Sequence, residues 1–384
     1  MDNYWTYFKN KMIGQKNLAS IGFANIIGTG ISAIFWLYLA SVIEPAEYGE
    51  IYYFIAIAGL GQIISLIGSS NVLTVYTAKK IKIQATLFSI SLLVAVVSVI
   101  VITVIFFRFD VGLLVLGYVI FELVNAVLLG RKAYTKYSKY FLTQKTLMVV
   151  LGIGFYYLIG FDGILYGFVL SFIPYTVLIY REFKETKIDF SLLKSRKGFI
   201  TNNYAMSLSG RMGSTVDKLI VAPLLGFTLL GNYSLALQLF VVLYMMPVII
   251  YKYLLPQDAS GKSNKKLKQT AVLMSVGIAL FGVVLFPHII QNFFPKFIET
   301  VDAIQIMSIA IIPAMISLLY TSKFLGLEKS KFILICKIIV TSSLITGFII
   351  LGPIFGIIGL ASVFLSVSVF EASFLFSISQ IKKL

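Results

Sequence analysis

The sequence has one cysteine, one histidine and little charge: Cys336, His288, and 12% Asp, Glu, Lys and Arg over 384 residues. A single cysteine rules out an internal disulfide framework, and one histidine with one cysteine cannot supply a clustered metal-ligand set. No bound metal or cofactor is expected. Long polar stretches are missing as well, and with them the room for a soluble catalytic domain; the longest external segment, 287–300, is too short to build one. No serine elbow or nucleotide-binding loop is present: Gly261-Lys262-Ser263 resembles the end of a phosphate loop, but Pro256 stands where its first glycine belongs. The chain therefore reads as a non-enzyme that does not use ATP.

What is abundant is apolar surface. Hydrophobic residues make up 59% of the chain and mean hydropathy is +0.93, far above a water-soluble globule. About twelve windows of membrane length can be drawn, over 18–43, 48–77, 83–107, 111–130, 140–160, 163–181, 201–225, 229–255, 269–287, 301–322, 331–351 and 354–380. The first window is too long for a cleaved signal. The net charge of +16 would suggest nucleic acid in a soluble protein. Here it has a topological explanation, and no nucleic-acid partner is expected.

With the N-terminus inside, Lys79, Lys80, Lys82, Arg131, Lys132, Lys136, Lys139, the run 181–197, Lys262, Lys265, Lys266, Lys268, Lys329, Lys331, Lys382 and Lys383 all fall on one side. The other side holds Arg108 and Lys296 among mostly acidic residues. That asymmetry places both termini in the cytoplasm.

The two halves of the sequence echo each other. Glu47-Tyr48-Gly49-Glu50 parallels Leu229-Leu230-Gly231-Asn232, and Phe161-Asp162-Gly163-Ile164-Leu165 parallels Ile354-Phe355-Gly356-Ile357-Ile358. Six spans per half return the chain to the same side, so the halves relate by a pseudo-twofold axis along the membrane normal. The expected fold is an all-α integral membrane protein of two six-helix lobes, residues 1–181 and 201–384, joined by a cytoplasmic linker over 182–200.

The segment 203–231 holds three charges in an otherwise apolar span. In a continuous helix Arg211, Ser214, Thr215 and Lys218 share one face at i, i+3, i+4 and i+7. A central membrane charge costs roughly 2.5 to 3.5 kcal/mol and must face a cavity or a partner. Asp217 points away from Arg211 and fits either gating or a lobe-closing ion pair. A cavity between lobes would also be lined by Asn25, Gly28 and Ser32 on the first helix and by Gln62, Ser65 and Ser69 on the second, although small residues equally serve close packing. Glu122 and Glu371 are intramembrane carboxylates, suited to ion coupling or to a hydrogen-bonded pair with a nearby Lys or Ser. The N-terminal spans read as having no Lys or Arg deep in the membrane.

These landmarks together resemble the polysaccharide, or lipid-linked oligosaccharide, flippase family of the multidrug/oligosaccharidyl-lipid/polysaccharide exporter superfamily. The resemblance rests on 40–50 (ASVIEPAEYGE), Gly130-Arg131-Lys132-Ala133-Tyr134, Asp217-Lys218-Leu219-Ile220 followed by 231–236 (GNYSLA), and 356–361 (GIIGLA), and it spans the chain. It implies alternating-access movement of a polyprenyl-diphosphate-linked glycan across the cytoplasmic membrane for cell-surface polysaccharide synthesis, with membrane lipids and glycan-assembly enzymes as partners. It further implies a cationic cavity in which Arg211 and Lys218 would meet the diphosphate. The other reading is a small-molecule or multidrug cation antiporter of the same superfamily. That activity would call for acidic residues in the N-terminal lobe, and the first helix has no carboxylate before Glu44.

Overall fold

The computed structural model describes residues 2–67, 69–194, 196–212, 215–260, 264–327 and 329–381, with the side chains of 2–21, 69, 206, 209–212, 256 and 259 not described. Every regular element among them is helical. The helices are α1 (Asp2–Val42), α2 (Pro45–Ser65), α3 (Ser69–Ala78), α4 (Gln84–Phe106), α5 (Phe109–Gly130), α6 (Tyr134–Ile159), α7 (Gly163–Leu170), α8 (Ile173–Glu185) and α9 (Ser191–Lys194). They are followed by α10 (Lys197–Met212), α11 (Val216–Leu225), α12 (Phe227–Ala259), α13 (Lys265–Phe293), α14 (Thr300–Ile309), α15 (Ile311–Gly326) and α16 (Ser330–Ile381). Among the described residues nine helical stretches are long and apolar enough to cross a membrane, ten when α2 and α3, bent by 45°, count as one broken span. The protein is a multi-pass membrane protein. At 52 residues α16 is more than twice the ~20 a bilayer requires, and Gly356 at φ +56° divides it into arms 330–355 and 357–381.

The chain forms two compact units. Unit 1 comprises Met1–Phe35 and Phe54–Thr215; unit 2 comprises Trp36–Tyr53 and Val216–Leu384.

In unit 1, α5 is the central helix, packed on α3, α4, α6, α7 and α8. Its glycines allow this. A Cβ on Gly117 would strike the Phe172 ring, and one on Gly130 would meet the Thr74 carbonyl at 2.7 Å. The linker is tied down rather than hanging clear. Thr86 Oγ1 donates to the Asp189 carbonyl (3.2 Å) and accepts from its amide (2.9 Å), while the Ala85 amide donates to Thr186 Oγ1.

In unit 2 the α14–α15 pair holds the corresponding central place, against α12, α13 and α16. The outer tip of the α1–α2 hairpin belongs to this unit and meets the start of α12 in a reciprocal contact. A Cβ on Gly49 would run into the Phe227 carbonyl oxygen, and one on Gly231 into that of Pro45. Each residue of one segment meets the counterpart of its own partner in the other, the pattern a local twofold axis produces. Gly49 and Gly231 are the glycines aligned by sequence. Lys296 reinforces the tip through Glu44 (2.8 Å), and Tyr48 lies edge-on to Phe297.

The second repeat has a different register from the one expected. Positive φ occurs at Gly160 (+81°) and Gly356 (+56°), both at turns. Three residues on, a Cβ on Gly163 would collide with the Phe155 carbonyl and one on Gly359 with that of Leu351, each across its turn. Gly160 therefore corresponds to Gly356 and Gly163 to Gly359. Similarity of flanking apolar residues cannot fix this alignment, whereas the left-handed backbone and the close approach can.

Candidate functional site

The expected single helix over 201–225 is interrupted. α10 is described to Met212, Thr215 lies in a turn and α11 starts at Val216, with residues 213 and 214 outside the described residues. The i, i+3, i+4, i+7 spacing that aligned Arg211 with Lys218 assumed an unbroken helix and does not carry across. The Arg211 side chain and Ser214 lie outside the described residues. α10 itself is fastened to α2 by the Tyr204 hydroxyl, which donates to the Ile64 carbonyl at 2.8 Å. Thr215 is half-buried, its Cγ2 3.9 Å from where a Cβ on Gly59 would stand.

Gln62 sits one turn from Gly59 and donates to the Tyr118 carbonyl on α5 at 3.2 Å. Ser65 is fully buried, donates to the Gly61 carbonyl (2.7 Å) and meets Ser98 Oγ on α4 (3.2 Å). For Ser65 the packing reading of the α2 stripe describes the structure, while Gln62 is half-buried with this one partner on α5. On α1, Ser32 donates to its own helix at Gly28, and Asn25 Oδ1 accepts from the Tyr137 hydroxyl of α6 at 3.4 Å. Asn25 and Tyr137 are thus paired inside unit 1 with the Phe141 ring stacked on Tyr137, and Glu122 is half-buried on α5. Next to Glu122 on α5, Asn125 accepts from the Tyr175 hydroxyl at 3.3 Å.

One basic residue of the N-terminal spans, Lys145, lies five residues inside the expected span 140–160. α6 starts at Tyr134, six residues before the expected span, which puts Lys145 near the middle of a membrane-length helix. A hydropathy window begins only after Lys139, whereas helix formation tolerates the polar turn before it. Lys145 lies on the face of α6 that buries Tyr137, Ser138, Gln144 and Met148, with its ammonium 5.7 Å from the centre of the Phe141 ring. A lysine inside a twenty-residue apolar window was the signal that marks it.

In unit 2, Lys218 donates to both oxygens of its neighbour Asp217, at 3.1 and 3.0 Å. Asp217 is buried and acts on the buried Tyr233 hydroxyl of α12. The Lys218 charge is therefore neutralised locally. Glu371 pairs with Lys337 at 2.8 Å across the two arms of α16, which is the hydrogen-bonded pairing considered for it. A second cluster near the ends of α12, α13 and α15 joins Asp258 to Lys268 (2.7 Å) and Ser322 (2.6 Å). Toward the opposite end of unit 1, Arg108 grips Asp110 through two nitrogens and reaches Asp162 at 3.0 Å, with Phe54 against its guanidinium. Charge pairing across helix ends is visible only once the helices are placed.

No protein-family model matches the chain, and no curated protein sequence does. Its fold does have solved counterparts. It is similar to lipid II flippase MurJ in an inward closed conformation, with a TM-score of 0.72 at 14% identity over 94% of this chain and 87% of that one. An inward-facing multidrug resistance MATE family transporter of the MOP superfamily gives 0.68 at 13% identity, covering 92% and 94%. A MOP superfamily transporter from Pyrococcus furiosus, described as having a binding pocket of reverse polarity, gives 0.56 at 15% identity, covering 96% and 95%. The chain shares its fold with these proteins, which are described as a lipid flippase, a multidrug resistance transporter and a MOP superfamily transporter.

Proposed function

We propose that this protein is a flippase that carries a polyprenyl-diphosphate-linked oligosaccharide across the cytoplasmic membrane by alternating access, for cell-surface polysaccharide synthesis. The observation that carries the reading is the sign of the intramembrane charge. α1 has no carboxylate from Gly22 to its end at Val42, while Lys145 stands within an apolar helix and Arg211 near the end of α10; Lys218 is already met by Asp217. Cations held in a low-dielectric region suit an anionic passenger, and a guanidinium grips a diphosphate through paired donors. The likeness to a lipid flippase agrees with this choice. In this reading the chain has twelve spans in two six-helix lobes, 1–181 and 201–384, with both termini cytoplasmic, and its substrate contacts include Arg211, Ser214, Thr215, Lys218, Asn25 and Gln62. Energy comes from an ion gradient or from downhill removal of product.

The likeness to a multidrug transporter supports a second reading, cation antiport, in which Glu122 would carry the exchanged ion. The two readings separate at Arg211. Arg211→Ala is expected to lower glycan export by about tenfold or more, the loss of a charge-assisted contact, at near-normal abundance, and Arg211→Lys to keep part of it. Export measured per unit of membrane protein checks this. Equal export at equal abundance removes Arg211 from the transport path.

A further inference from the structure

Where α5 stops, α6 begins and α8 finishes, the three helices of unit 1 leave a cavity of about 70 Å³. That is several times the ~15 Å³ a single water needs. Its apolar floor includes Val124, Val127 and Leu178, and its rim carries Arg131, Lys136, Arg181, Glu182 and Glu185. One nitrogen of Arg131 serves both carboxylates, Glu182 at 2.7 Å and Glu185 at 3.0 Å. Lys136 and Arg181 are exposed, and neither makes an ion pair with a described residue. The rim thus sets three cations against two carboxylates, and Lys132, Lys139 and Lys184, all exposed, stand close by on the same helix ends.

An apolar track leads away from this rim. Ile173, Val177 and Arg181 follow one another at i, i+4 and i+8 on one face of α8, and Ile173 and Val177 are 56% and 48% exposed. Because α8 belongs to the membrane-length stretch Gly163–Glu185, an exposed apolar stripe on it meets lipid chains. Tyr180, next to Arg181, is exposed too, with the Lys184 ammonium 4.6 Å from its ring centre. A tyrosine among basic side chains at a helix end is the composition of the headgroup level. The ligand that fits has an anionic group for the rim and an apolar chain for the track. A free anion gains only the first, and it meets Glu182 and Glu185 without that compensation.

We propose that the cavity between α5, α6 and α8 is a headgroup site for an anionic phospholipid of the surrounding bilayer, its phosphate at Lys136 and Arg181 and one acyl chain along Val177 and Ile173. Basic pockets between helix ends on the cytoplasmic side suit such headgroups, and the charge asymmetry of the sequence puts these helix ends on that side. Arg131, held by Glu182 and Glu185, shapes the rim. The lipid is a fixed partner of unit 1 and not the passenger, so the site stands whichever substrate is carried.

The test is native mass spectrometry of the full-length protein in detergent micelles, titrated with phosphatidylglycerol and, as the zwitterionic control, with phosphatidylcholine of the same chains. Lys136→Gln with Arg181→Gln is expected to weaken phosphatidylglycerol binding by about tenfold and to leave phosphatidylcholine binding unchanged. Lys265→Gln with Lys266→Gln removes the same charge from exposed positions at the start of α13, outside the cavity, and is expected to leave phosphatidylglycerol binding unchanged. If the first double variant does not fold, Lys136→Gln alone, with an expected loss of about threefold, takes its place. Unchanged binding in the cavity variant overturns the proposal, and so do equal losses in the two double variants, which would mean diffuse surface charge. Displacement of phosphatidylglycerol by inorganic phosphate overturns it as well, because the position would then serve a free anion.

Discussion

Asp217 and Lys218 occupy adjacent positions, and the carboxylate takes both hydrogen bonds of the ammonium in a largely buried setting. Removing one member of such a pair leaves an uncompensated charge, at a cost of roughly 3 to 5 kcal/mol. Lys218→Met alone is thus expected to lower thermal stability in detergent, and Asp217→Asn with Lys218→Met to recover most of it. Transport separates two roles at this position. A purely structural pair recovers transport along with stability, whereas a substrate contact at Lys218 leaves the stable double variant inactive. Single residues were unevenly legible in the sequence. An isolated charge in an apolar run is conspicuous, which is how Arg211, Lys218, Glu122 and Glu371 stand out. Their partners come from other helices or from local geometry that spacing does not encode: Lys337 for Glu371, and Asp217 itself for Lys218. Lys145 was passed over although it lies inside the window 140–160, five residues from its start.

At the scale of elements, the hydrophobic windows located the helices well, since apolar length is what a bilayer selects. Breaks were harder to see. The bend between α2 and α3 and the turn at Thr215 before α11 fall within windows whose average hydropathy stays high. The glycine repeats have structural reasons. Gly49 and Gly231 bring two helix starts together at backbone distance, so neither tolerates a methyl group without a shift of main chain. Gly49→Ala is expected to lower transport by about tenfold or more through displacement of the hairpin tip from unit 2, at a stability cost of a few kcal/mol. Gly277→Ala, at a position where an added Cβ meets nothing within 4 Å, is expected to leave transport unchanged. Transport per folded protein, with abundance followed by in-gel fluorescence, checks the pair; equal behaviour of the two variants would contradict a requirement for the Gly49–Gly231 contact.

For the whole molecule, composition alone argued against a water-soluble globule, and the all-helical membrane fold agrees with it. The fold is shared with solved structures described as a multidrug transporter and as a lipid flippase, and by itself it leaves the activity and the passenger open. The passenger is argued from charge: basic residues in the spans, and α1 without a carboxylate from Gly22 to Val42.

The most direct measurement is transport in sealed proteoliposomes of known orientation, following a polyprenyl-diphosphate sugar by its accessibility to an impermeant lectin or hydrolase. Protein-dependent appearance of the sugar on the far leaflet, lost in Arg211→Ala, is the predicted result. No movement of the lipid-linked sugar, with cationic dyes exchanged against protons instead, would contradict the flippase account and establish the antiporter.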